Sequence, residues 1–84
     1  MANKFNFHQS ITEINNNGFV LHRLSQFIVS KGVYGYECEV CNEEGVNLTE
    51  RGAMPLDALN NAVNATHAWA LSQAPVVDDC EDLV

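Results

Sequence analysis

Basic residues are scarce in this chain of 84 residues: four Lys and Arg stand against eleven Asp and Glu, for a formal net charge of −7. Lys4, Arg23, Lys31 and Arg51 are dispersed, and no segment holds two of them together. Nucleic-acid binders neutralise phosphates with clustered cations, so direct contact with DNA or RNA is not expected. Cysteine is also sparse. Three of them, an odd number, follow an N-terminus with no apolar signal segment, which points to free thiols in a reducing cytoplasm. No apolar run approaches the length of a bilayer span, so no membrane association is expected. Glycine-rich phosphate loops are missing, and His8, His22 and His67 are too far apart to suggest a nucleophile–base set. No catalytic residue, cofactor or metal is therefore assigned, and the chain reads as a non-enzyme.

What remains is a small folding unit with an apolar fraction of 46%. A domain of this size buries roughly two-thirds or less of its unfolded surface, leaving little room for an enclosed substrate pocket. A binding or regulatory module is the expectation, and oligomerisation is one way to gain burial. Residues 1–75 read as a single domain and residues 76–84 as an acidic, flexible tail.

The segment from Pro55 to Ala74 carries the clearest pattern. At 100° per residue Leu56, Leu59, Ala62, Val63, Thr66, Trp69 and Ala70 share one side, while Asp57, Asn60, Asn61, Asn64 and His67 share the other. Pro55 suits a first helical turn, Asp57 complements the helix dipole, and Pro75 ends the run. Such a helix needs a sheet to lie on, with Trp69 as its largest anchor. Upstream, Val33 to Val40 alternates Tyr34, Tyr36, Cys38 and Val40 with Gly35, Glu37 and Glu39, which gives a strand with one apolar and one acidic face. Gly45 to Glu50 repeats the alternation as a shorter strand.

Phe19 to Val29 fits helical spacing at Val20, Leu24, Phe27 and Ile28, but its β-branched and aromatic content and the following Ser30-Lys31-Gly32 turn favour a strand in a hairpin. Phe5 to Ile14 stays open. It reads either as an edge strand or as a short helix begun by the capping-box pattern Ser10-Ile11-Thr12-Glu13.

Cys38 and Cys41 have the spacing of half a zinc site, yet no second Cys or His pair completes it. On one extended strand an odd separation points them to opposite faces, so buried core cysteine is the first reading and a zinc module the rival. His67 borders the apolar stripe and is expected to be partly buried and hydrogen-bonded. Glu37, Glu39, Glu43 and Glu44 form an acidic patch on a strand face and its turn, and these four are the candidate partner-binding residues.

The order strand, hairpin, strand and then Leu56-Asp57-Ala58-Leu59-Asn60-Asn61-Ala62 resembles the sheet-plus-helix domain of HicB-like antitoxins. The likeness covers about half the chain, carried by Gly45 to Gly52 and Leu56 to Leu71 with Val33 to Val40 as the preceding strand. It implies a partner-binding, inhibitory domain, although the chain ends in an acidic segment where that family continues into a DNA-binding one. If Ser10 to Asn16 is helical, the outline is also similar to a double-stranded-RNA-binding domain, without the lysines such modules place on the last helix.

These readings converge on an α+β domain, a three- to four-stranded antiparallel meander with one C-terminal amphipathic helix packed on one face. Its expected function is to bind and regulate a basic protein through the acidic sheet face or an edge strand. A homodimer joined at an exposed strand edge is a further alternative.

Overall fold

The structure, a computed structural model, describes residues 5–73. Its elements run α1 (Phe7–Asn16), β1 (Phe19–Ser30), β2 (Val33–Asn42), β3 (Asn47–Gly52) and α2 (Pro55–Gln73). The three strands form one antiparallel sheet in the order β1-β2-β3, and α2 packs across it with α1 at its side. The fold is therefore α+β with three strands. The expected acidic tail and the Pro75 helix stop lie outside the described residues.

The segment left open at the N-terminus is helical, and its cap differs from the expected one. Asn6 is the N-cap: its side chain accepts from the Gln9 backbone N–H at 2.8 Å, and the Gln9 side chain accepts from the Asn6 N–H at 3.0 Å. Ser10 lies within the first turns instead. It is fully buried, and its hydroxyl has no hydrogen-bond partner among the described residues. With this helix in place the element order is α-β-β-β-α, and α2 carries no Lys or Arg.

Phe19 to Ser30 is a strand, as its composition favours. β1 and β2 join through Lys31 and Gly32, where Gly32 takes a φ of 76° that a side chain would strain. Two irregularities, between Leu21 and Arg23 and between Ile28 and Ser30, leave Arg23 to Ile28 as the regular central stretch of β1.

The core lies between the sheet and the helices. Ile14, Phe19, Cys38, Val40, Ala58, Leu59, Ala62 and Val63 are buried, with Leu21, Leu24, Leu48, Leu56 and Trp69 packed around them. Trp69 meets the Phe19 ring edge-on, with centroids 5.3 Å apart and planes at 87°. Gly52 allows β3 to run directly under the start of α2, since a Cβ there would stand 2.5 Å from the Ala58 nitrogen. This contact explains why Ala58, outside the apolar stripe expected for α2, is fully buried.

Asparagines fasten the periphery. Asn60 holds Phe5 at both its backbone N–H (2.9 Å) and carbonyl (3.0 Å), and Asn61 donates to the Arg51 carbonyl at 2.8 Å. Asn17 donates to the Thr66 hydroxyl at 3.0 Å, which itself donates to the Val63 carbonyl at 2.8 Å. His67, expected to be partly buried, is exposed. With α1 alongside, Thr66 takes the inward position and His67 is left at the rim, facing a shallow cleft with Phe5, Glu13 and Asn17.

Candidate interaction surface

The four acidic candidates fall into two environments. Glu37 and Glu39 lie on the outer face of β2, away from the helices, and Glu43 and Glu44 occupy the turn between β2 and β3. On the outer face each carboxylate has an arginine from a neighbouring strand. Arg23 reaches Glu39 at 3.1 Å, and Arg51 reaches Glu37 at 3.6 Å. The arginine side chains are 59% and 65% exposed and the carboxylates 20% and 23%, so the cations stand above the anions. Arg51 also stacks over the Phe27 ring at 4.6 Å. Phe27 in turn lies across Gly35, where a Cβ would come within 2.9 Å of the ring.

The outer face is therefore charge-balanced rather than acidic. Antiparallel register explains the change, because Arg23 pairs with Glu39 and Arg51 with Glu37 across neighbouring strands. Arginines dispersed in the sequence come to flank the acidic strand once the meander folds.

The turn keeps its charge open to solvent. Asn42 staples it: the side-chain oxygen accepts from the backbone N–H groups of Glu44 and Val46, both at 2.9 Å. The Asn42 backbone N–H donates to Val46 at 3.1 Å, and Gly45 donates back to Asn42 at 3.2 Å. Glu43 and Glu44 are exposed and form no ion pair among the described residues. They border a cleft of about 340 Å³ with Asn17, Gly18 and Trp69. A neighbouring cleft of about 390 Å³ runs from Glu43 past Cys41 to Phe19 and Val20.

Cys38 and Cys41 face opposite sides of β2. Cys38 is fully buried beneath the helices, and burial, followed by the nearby Glu50 carboxylate, pushes its thiol up from 9.0 to about 11. Cys41 lies beside Val20 at the second cleft. Two thiols so placed do not converge on one ion, and no group of three metal-ligating side chains occurs among the described residues.

An edge strand is the other expected binding element, and the sequence does not say which strand forms it. Among the described residues β1 pairs only with β2, and none of them pairs with its other side along its twelve residues. Its far end also escapes the helices. β3 reaches only as far as Tyr36 on β2, so the hairpin tip continues as a two-stranded arm. On that arm Ile28 is 71% exposed, Val29 60%, Tyr34 53% and Val33 50%. The apolar run from Phe27 to Val29 carried this signal in the sequence, but composition alone does not say whether a strand residue is covered.

No helix among the described residues is long and apolar enough to cross a membrane. The chain matches no protein-family model, no curated protein and no solved structure.

Proposed function

We propose that this chain is a small, acidic, non-enzymatic regulatory protein that works in the cytoplasm by binding a basic protein through strand addition along β1. The observation that supports this reading is the open β1 edge with its apolar arm. Main-chain groups on such an edge supply affinity, and the exposed side chains flanking them supply selectivity. The Glu43–Glu44 turn shares a cleft with the Asn17–Gly18 turn at the opposite end of β1 and would receive the partner's cations. Glu37 and Glu39 contribute less, because Arg51 and Arg23 already engage them. The resemblance to HicB-like antitoxin domains supports an inhibitory role for the same surface.

Affinity capture from native-host lysate with immobilised full-length protein tests the reading. Wild type is expected to retain a basic protein, and Val20→Lys/Ile28→Lys to lose it, since lysine on an exposed edge blocks pairing without touching the core. Equal retention by both would contradict the use of this edge.

A further inference from the structure

We infer that the open edge of β1 is occupied by a second copy of the same chain, paired antiparallel across a two-fold axis near Ser25, so that two three-stranded sheets become one of six strands. The inference rests on reading β1 as a pairing edge and names its resident occupant. A heterologous partner would reach the edge by displacing that copy.

Three observations converge on this arrangement. The first is geometric. The regular stretch of β1 runs from Arg23 to Ile28, between its two irregularities. Continuing the pleat requires facing residues to lie on the same side of the sheet, which places the axis on a residue near the centre of that stretch, and Ser25 satisfies this. Each arm then extends beside the other copy's Asn17–Gly18 turn.

The second is the cover that the arm lacks. Ile28 and Tyr34 pair with each other on the helix side of the sheet, beyond the reach of their own helices. Phe19, at the other end of β1, lies beneath that layer in contact with Trp69. Antiparallel pairing brings the bare end of one copy alongside the covered end of the other, so the partner's Ile28 borders the helical layer near Leu21. Val20, on the other face beside Cys41, is 56% exposed at the cleft of about 390 Å³.

The third is charge. The chain carries −7, yet residues 14–36 contain no Asp or Glu and hold Arg23 and Lys31. An edge drawn from this stretch lets two copies approach without opposing carboxylates of its own. Lys31, at the tip of the arm, is exposed and makes no ion pair among the described residues. In the pairing centred on Ser25 the partner's Lys31 arrives next to the Asn17–Gly18 turn, which shares its cleft with Glu43 and Glu44. Two-fold symmetry makes this contact twice.

Sedimentation of the full chain across a concentration series tests the inference. Wild type is expected at twice the 9.3 kDa chain mass, and Val20→Lys/Ile28→Lys at the single-chain mass. Lys31→Glu alone, or Glu43→Lys/Glu44→Lys alone, is expected to weaken self-association by on the order of tenfold, through repulsion at each symmetric contact. Combining all three charge reversals is expected to restore it. Circular dichroism of each variant separates lost pairing from lost folding. A single-chain mass for folded wild type at every concentration would overturn self-pairing. If Val20→Lys/Ile28→Lys nevertheless abolished capture of a basic protein, the edge would stand with a different occupant. A dimer indifferent to these edge lysines would overturn the inference as well. Failure of the three charge reversals to rescue would overturn the register centred on Ser25.

Discussion

The two ends of the β1–β2 hairpin are built from similar residues and meet opposite fates. At the proximal end Phe19, Cys38 and Val40 are buried under α2, with Trp69 closing over Phe19. At the distal end Ile28, Val29, Val33 and Tyr34 stand largely in solvent. Strand propensity treats both ends alike. The difference comes from reach: β3 stops opposite Tyr36, and the chain then turns at once into α2, so the helical layer covers only the proximal half. One hairpin thus supplies core at one end and an exposed apolar surface at the other.

Substitutions can break this contrast, and the largest effect is expected where cover is complete. Phe19→Ala should cost about 3–5 kcal/mol in chemical denaturation, because a fully buried ring leaves a cavity and Trp69 loses its contact. Next is Gly52→Ala, which forces a Cβ into the α2 backbone and should destabilise by about 1–3 kcal/mol. Asn42→Ala should cost about 1 kcal/mol by freeing the turn that presents Glu43 and Glu44, read as a lower thermal midpoint. Ile28→Lys should be the mildest, within about 0.5 kcal/mol in single-chain stability, while lowering the sedimenting mass.

The cysteines sharpen the comparison between the two sheet faces. In a Cys80→Ser background Cys41 should react quickly with a thiol reagent at pH 8, and Cys38 only at the rate of unfolding. The folded-state value for Cys38 lies above its ordinary 9.0. Its contribution to stability is therefore full below pH 9.0 and lost as pH rises to about 11. Denaturation at pH 8 and pH 10.5 should show the decline, and Cys38→Ala should remove that pH dependence.

Much of the fold was legible because local chemistry and burial agree along α2, β2 and the Lys31–Gly32 turn. The first helix was ambiguous because its cap is Asn6 with Gln9, while the more conspicuous Ser10 pattern lies inside the helix and is buried. Asn60 and Asn61 fell on the polar side of the helical wheel, yet both bind backbone groups elsewhere in the chain. Periodicity distinguishes polar from apolar and is silent on whether a polar side chain meets water or a carbonyl. The acidic face was misjudged for a related reason. One strand read alone shows Glu37 and Glu39, whereas register with its neighbours supplies Arg51 and Arg23. The uncovered arm was hidden because cover depends on where β3 ends, a property of the whole sheet.

Amide hydrogen exchange along β1 tests the central claim most directly. β2 leaves the outward-facing amides between Arg23 and Ile28 unbonded within one chain, so an isolated copy would exchange them at nearly unprotected rates. The account predicts slow exchange of these amides in concentrated wild-type protein and fast exchange in Val20→Lys/Ile28→Lys, with core amides protected in both. Fast exchange of the β1 edge in concentrated wild type would contradict it.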